Sequence, residues 1–192
     1  ETVACIMRFS AIGSSPFRQA VKERCPMLPL IALATAAAAA AHGTAALPVC
    51  KVEQLSLGFD AQGGAFNGMS HSGALLVIRN MGPKSCRMDG LPRLTFRDAK
   101  GKPLAIARTV PRGMHPGPAI APVGVAAGAE LTAPLRWVSG EVYDKSICVE
   151  PAFAAVAIGG RSIQTAFTGR LCGQTGTSIG FEQPVLRPDP RL

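Results

Sequence analysis

The sequence has few aromatic side chains and no cluster of positive charge. Aromatic residues make up 5% of the 192 residues, with one tryptophan and one tyrosine. The formal net charge is +8, but the basic residues are scattered along the chain and often alternate with apolar ones. Proteins that bind nucleic acids combine a basic patch with interleaved aromatic rings. We therefore expect no nucleic-acid partner, and a mildly basic, solvated surface that favours loose contact with anionic polymers.

Complete catalytic motifs are missing as well. The segment Gly176-Thr177-Ser178-Ile179-Gly180 fits Gly-x-Ser-x-Gly, the turn that presents a nucleophilic serine in many hydrolases. That motif needs an acidic residue and a histidine later in the chain, whereas the last histidine is His115. The sequence therefore predicts that the protein is not an enzyme and needs no cofactor. A hydrolase centred on Ser178 is the disfavoured alternative.

No apolar run is long enough to cross a membrane. The longest, Met27–Ala41, is well below the ~20 residues that a span needs and is mostly alanine. Basic residues follow Met7, and small residues at 43–46 follow the apolar run, as in a secretory signal peptide. We therefore expect residues 1–46 to be a removable leader, with the residues before Met7 as an upstream extension. The mature protein is expected to be periplasmic or extracellular, without a membrane span.

Four cysteines follow this leader, an even number that suits disulfide bonds in an exported protein. They are Cys50, Cys86, Cys148 and Cys172. Four cysteines allow three pairings, and their order along the chain favours Cys50–Cys86 and Cys148–Cys172. Because no Cys-x-x-Cys pair occurs, a zinc site is the disfavoured alternative.

Short alternating apolar segments separated by turn residues predict an all-β domain over residues 47–187, with residues 188–192 as a flexible tail. Gly159-Gly160-Arg161 joins two of these segments and predicts a hairpin. Pro134 lies inside another, which predicts an edge strand or a bulge there. About seven to nine strands in one domain favour an antiparallel β-sandwich. The predicted strands are 52–59, 74–79, 94–97, 104–110, 131–137, 152–158, 162–168 and 179–186.

Trp137 ends an alternating segment and is predicted to fill the core of the sandwich. The alternative is that its ring forms a platform on which a sugar stacks. Functional residues on such scaffolds lie on loops, and the long loops are predicted at 60–73 and 111–122.

Each of these two loops carries a methionine close to a histidine. The residues are Met69 with His71, and Met114 with His115. Thioether and imidazole ligands together suit Cu(I), so a periplasmic copper carrier is an alternative function. Solvated loop histidines without a metal are the favoured interpretation, because no fixed ligand spacing is met.

Several motifs occur in a characteristic order. They are the strand Leu75–Arg79 with Asn80-Met81-Gly82, the turn Cys86-Arg87-Met88-Asp89-Gly90-Leu91-Pro92, and the segment Val125–Leu131 leading to Trp137, together with Cys50, Cys148 and Cys172. This order resembles domain-of-unknown-function family 4232, although Ala127-Gly128 stands where that family usually has Pro-Gly. The resemblance implies an exported bacterial domain with an immunoglobulin-like sandwich. It implies no known activity and no catalytic residue.

The sequence as a whole predicts an exported, non-catalytic binding or structural module of the bacterial cell envelope. Its expected partner is an envelope protein or a glycan, and the expected oligomeric state is a monomer. The copper carrier is the alternative function.

Overall fold

The computed structural model describes residues 47–109 and 120–189. The predicted leader and signal peptide, Met114, His115 and the last residues of the predicted tail lie outside the described residues. The described part is all-β, as predicted, with two short 3-10 turns at Val52–Gln54 and Gln62–Gly64.

Thirteen short strands make up the described regular structure, more than the predicted seven to nine. The additional strands are two to four residues long, too short to show an alternating apolar pattern in the sequence. The strands are β1 (Leu55–Asp60), β2 (His71–Asn80), β3 (Cys86–Met88), β4 (Leu94–Arg97), β5 (Ile106–Thr109), β6 (Val123–Val125), β7 (Glu130–Val138), β8 (Ser146–Val149), β9 (Phe153–Ile158), β10 (Arg161–Ala166), β11 (Leu171–Gln174), β12 (Ile179–Glu182) and β13 (Arg187–Pro188).

The main sheet has the strand order β1-β2-β7-β12-β5, and β13 also pairs with β7. Its longest ladder joins β2 and β7 and runs from His71 opposite Val138 to Arg79 opposite Glu130. Every pair in this sheet is antiparallel except β12 with β5, which is parallel. The expectation of a purely antiparallel arrangement is therefore wrong at this edge.

Three smaller sheets complete the described fold, with the orders β10-β9-β4, β11-β8 and β3-β6. The predicted hairpin between β9 and β10 is confirmed. Gly159 and Gly160 form its turn with φ angles of 55° and 81°, which glycine adopts without strain. The β13 pairing and the buried Asp189 extend the packed structure beyond the predicted domain end at residue 187.

The position of Pro134 corrects a prediction. Pro134 lies in the central strand β7 and not in an edge strand, and it pairs with Leu75 of β2. On its other side, β7 pairs with β12 at residues 136–137 and with β13 at residues 131–132. Pro134 falls in the gap between these two partners, where a residue without an N–H group breaks no ladder hydrogen bond.

The core lies on one face of β7. Alternation buries Leu131, Ala133, Leu135 and Trp137 and exposes the residues between the last three. Trp137 is 4% exposed, so its predicted core position is confirmed. Its ring packs against Phe167, with a centroid distance of 5.6 Å.

The disulfides follow the two pairings that chain order favours. Cys50 bonds to Cys86, and Cys148 bonds to Cys172, where the two cysteines face each other across β8 and β11. The first bridge lies beside Asn80, because Gln54 donates from Nε2 both to Asn80 Oδ1 and to Cys86 Sγ.

Candidate functional site

A cavity of about 520 Å³ lies where β7, β12 and β5 meet at one end of the main sheet. We call it the β7–β12 cavity. Both apolar and polar side chains line it. The polar ones are His71, Thr109, Arg136, Tyr143, Gln174, Thr177, Ser178 and Glu182.

Strand register places opposite charges side by side on one wall of this cavity. Glu182 of β12 lies directly opposite Arg136 of β7, one residue along from the pair formed by Phe181 and Trp137. Trp137 and Phe181 are buried, so alternation turns Arg136 and Glu182 to the exposed face of the sheet. Directly opposed residues of an antiparallel pair have Cβ atoms about 4.5–5.5 Å apart, so a single ligand group can reach both charges.

The β5 strand and a glycine shape the neighbouring wall. Thr109 pairs with Glu182 in the parallel ladder, and its Oγ1 donates a hydrogen bond of 2.9 Å to the carbonyl of Phe181. Gly180 leaves the sheet surface open here, because a Cβ at this position would lie 3.1 Å from Thr109 Cγ2. The missing side chain therefore contributes to the depth of the cavity.

Arg136 is held in place by the loop between β1 and β2. Its Nη1 donates a hydrogen bond of 2.9 Å to the carbonyl of Phe66, and its guanidinium lies 4.7 Å from the centroid of the Phe66 ring. Gly73 permits this approach, because a Cβ there would overlap the Leu135 carbonyl and lie 3.0 Å from Phe66 Cβ. The guanidinium is thus positioned before any ligand binds, which lowers the entropy lost on binding.

The indole of Trp137 carries a buried donor behind the wall of the cavity. Its indole Nε1 is buried and has no hydrogen-bond partner among the residues that the structure describes. An indole N–H can only donate, and leaving a buried donor unpaired costs about 1–3 kcal/mol. Because Trp137 lies on the core face of β7 and Arg136 on the exposed face, this donor is not placed beside the charged pair.

One exposed aromatic side chain forms part of the cavity wall. Tyr143 lines the cavity and is 39% exposed, and its chain neighbour Val142 is exposed as well. The loops that carry Met69 and Val142 meet through Ser70, whose carbonyl accepts hydrogen bonds from the N–H groups of residues 139 and 140. Exposed apolar groups around a polar cavity are typical of binding surfaces.

Two residues that the sequence singled out, His71 and Ser178, both line this cavity. His71 Nδ1 is hydrogen-bonded to Ser70 Oγ at 3.1 Å. Ser178 precedes the strand β12, and Gly180 lies within that strand. The motif is therefore part of a strand–turn–strand unit, whereas a nucleophile elbow leads from a strand into a helix.

The copper prediction is not tested. Met69 is fully exposed, and Met114 and His115 lie outside the described residues. Within residues 47–109 and 120–189, no group of three or more His, Cys, Asp or Glu side chains is placed to hold a metal ion.

Sequence reasoning missed the charged pair, Arg136 and Glu182. The alternation around Trp137 indicates that Arg136 points away from the core. Nothing local indicates that Glu182 lies opposite it, because that contact depends on the pairing of strands far apart in sequence.

These observations define a disulfide-bonded, all-β domain with a polar cavity at one end of its main sheet. Within the described ranges, no helix has both the length and the apolar character needed to span a membrane. A family model described as a domain of unknown function (DUF4232) matches residues 50–183. The chain belongs to this family. Neither a curated protein nor a solved structure matches the chain.

Proposed function

We propose that the protein is an exported, non-catalytic module of the bacterial cell envelope that binds a neutral glycan in the β7–β12 cavity. The observation that carries this proposal is the opposition of Arg136 and Glu182 inside a cavity of about 520 Å³.

The charge balance of the cavity favours a neutral ligand with many hydroxyl groups. Among the described lining residues other than His71, the two charged side chains are Arg136 and Glu182, whose opposite charges offset each other. A guanidinium only donates hydrogen bonds and a carboxylate only accepts them. Each sugar hydroxyl both donates and accepts, so adjacent hydroxyls can satisfy the two groups together. The Gln174 amide adds donors and an acceptor, and the Thr109 hydroxyl, whose proton goes to the Phe181 carbonyl, adds an acceptor.

Tyr143 is the aromatic residue available to a sugar ring. Trp137 is buried in the core and cannot present its face to solvent. Tyr143 is partly exposed and lines the cavity, so its ring can pack against the apolar face of a sugar while its hydroxyl stays wet.

The lining favours binding over glycoside hydrolysis. Most glycosidases use two carboxyl groups about 5–9.5 Å apart, one on each side of the bond that breaks. Glu182 is the one carboxylate among the lining residues that the structure describes. A serine hydrolase needs a hydrogen bond between its nucleophile and a base, whereas the hydrogen bond of His71 is made to Ser70.

The proposed export and sandwich fold draw support from the packing. Two disulfide bonds in the described domain suit an oxidising compartment. The main sheet contacts the β10-β9-β4 sheet through Phe96 and Phe181, whose ring centroids are 5.2 Å apart. Two sheets that share one aromatic core are the arrangement of an immunoglobulin-like sandwich.

Isothermal titration calorimetry of the protein with a panel of neutral oligosaccharides tests the glycan proposal. We expect saturable binding of at least one oligosaccharide, weakened about tenfold or more by Arg136→Gln and by Glu182→Gln. The matched controls, Arg187→Gln and Glu150→Gln, remove exposed charges outside the cavity and should bind as the wild type does. Binding that the control variants weaken equally, or no binding to any neutral glycan, contradicts the proposal.

A further inference from the structure

A second groove lies where two edge strands face each other. β4 is the end strand of the β10-β9-β4 sheet, and β5 is the end strand of the main sheet. Between them is a space of about 480 Å³, lined by Leu91, Arg93, Thr95, Leu104, Ile106 and Arg108 among others. We call it the Arg93–Arg108 groove. Of the residues that the structure describes, none lines both this groove and the β7–β12 cavity.

The groove is positively charged. Among the described residues that line it, the two ionisable ones are arginines and none is a carboxylate. The ion pairs within the described residues use other arginines, namely Arg79, Arg161 and Arg170. Two exposed guanidinium groups without a carboxylate partner form a site complementary to an anionic ligand.

The strand register turns the Arg108 side chain towards the edge of the space between the two sheets. It pairs in parallel with the buried Phe181, so both side chains lie on the core-facing side of the main sheet. The guanidinium therefore lies at the opening between the sheets, where Nη1 makes a long contact of 3.4 Å with the Leu91 carbonyl. A contact of this length leaves most donors of Arg108 free for a ligand.

The edge of β4 offers main-chain groups to the same groove. Phe96 accepts a hydrogen bond of 2.9 Å from the N–H of Leu104, on the side of β4 away from β9. Because backbone groups alternate along a strand, Leu94 directs its N–H and carbonyl to that side as well. Leu94 lines the groove, and no described strand pairs with it there. Such an edge is a template for adding an extended chain.

We propose that the Arg93–Arg108 groove binds an extended, acidic peptide segment of a partner protein, which adds to the edge of β4 at Leu94. Its carboxylate side chains pair with Arg93 and Arg108, and its backbone pairs with β4. A peptide fits better than a lipid surface because none of the large exposed apolar side chains in the described residues lines the groove. A membrane surface would need such anchors.

Fluorescence anisotropy of labelled octapeptides with the full-length protein tests the proposal. The probe alternates valine and glutamate, so that its carboxylates share one face of a strand. One control peptide replaces glutamate with glutamine, and a second keeps the glutamates but replaces alternate valines with proline, which prevents strand addition. We expect binding of the first peptide alone, with NMR shifts centred on Leu94 and on β5.

Two double variants test whether peptide binding depends on the two arginines of the groove or on the overall positive charge of the protein. Arg93→Gln with Arg108→Gln should weaken binding of the acidic peptide about tenfold or more. Lys100→Gln with Arg187→Gln removes the same charge from exposed positions outside the groove and should change binding about twofold at most. Neither double variant should alter the titration with neutral oligosaccharides. The peptide proposal and the glycan proposal can therefore be contradicted independently of each other.

Four results would overturn the peptide proposal. The first is equal loss of binding in both double variants, and the second is equal binding of the proline-containing peptide. The third is binding to phosphatidylglycerol vesicles through the two arginines with no binding of the peptide, which would identify a lipid site. The fourth is self-association of the Arg93→Gln/Arg108→Gln variant when the wild type binds no peptide, which would mean that the arginines only protect a sheet edge.

Discussion

Replacing Asn80 with alanine should cost the domain a large part of its stability. Asn80 is 0% exposed and ends β2. Its Nδ2 donates to the carbonyls of Lys84 at 2.8 Å and Val125 at 3.3 Å. Its Oδ1 accepts from the N–H of Gly82 at 3.0 Å and from Nε2 of Gln54 at 3.3 Å. One amide therefore joins β2, the following turn and the end of β6.

The size of the loss follows from these contacts. The two shorter hydrogen bonds contribute about 1 kcal/mol each, and the two longer ones contribute less. Alanine also leaves the N–H of Gly82 and the carbonyl of Lys84 without partners in a part-buried site, which costs about 1 kcal/mol or more. We expect the free energy of unfolding to fall by about 3–4 kcal/mol for Asn80→Ala.

Urea denaturation with the disulfides intact measures this loss. The matched control is Asn67→Ala, since Asn67 is exposed and accepts a hydrogen bond from Ser72. That variant should lose about 0.5 kcal/mol at most. A loss below about 1 kcal/mol for Asn80→Ala would refute the reasoning, because the four hydrogen bonds of this buried side chain would then contribute no more than an ordinary surface change.

Three other predictions concern a disulfide, a glycine and an ion pair. Replacing Cys50 and Cys86 by alanine should lower the free energy of unfolding by about 4 kcal/mol, from the loop entropy of a 36-residue separation, as measured by urea denaturation. Gly73→Ala should cost about 1–3 kcal/mol in the same assay, because the new Cβ overlaps a backbone carbonyl of β7. A backbone hydrogen bond, and then the ion pair with Arg161, lower the pKa of Glu53, so Arg161→Gln should raise that pKa part of the way towards its ordinary value in an NMR titration.

A specific result would contradict each of these three predictions. If the variant without the Cys50–Cys86 disulfide is as stable as the wild type, this disulfide does not stabilise the fold. Gly58→Ala is the control for Gly73, since a Cβ at Gly58 meets nothing within 4 Å, and equal losses in the two variants would contradict the packing argument. A lowered folded-state pKa means that the stabilising contribution of Glu53 is present above its unfolded pKa and lost as the pH falls through the folded value. An unchanged pKa in Arg161→Gln would contradict the contribution of Arg161 and leave the backbone hydrogen bond and the charge of Lys51 to lower the pKa of Glu53.

The features that the sequence predicted correctly depend on local patterns. Alternation around Trp137 predicted its burial, and Gly159-Gly160 predicted the hairpin, because both follow from residues within a few positions of each other. The candidate site depends on long-range register instead. Arg136 and Glu182 meet only because β12 pairs with β7, and no local pattern encodes that pairing.

The same reasoning explains the corrected predictions. A proline inside a strand predicts an edge when the neighbours are unknown, yet Pro134 fits a central strand because β12 and β13 share the far side of β7. The segment 104–110 predicts a strand but not the direction of β5 relative to β12, since parallel pairing is set by the path of the intervening chain.

NMR mapping of a neutral oligosaccharide on the isotope-labelled protein tests the central claim most directly. If the β7–β12 cavity is a glycan site, amide shifts should concentrate on residues of that cavity, including His71, Arg136 and Glu182, and should all report the same affinity. Shifts that cluster elsewhere, or cavity amides that stay fixed at every glycan concentration, would contradict the account.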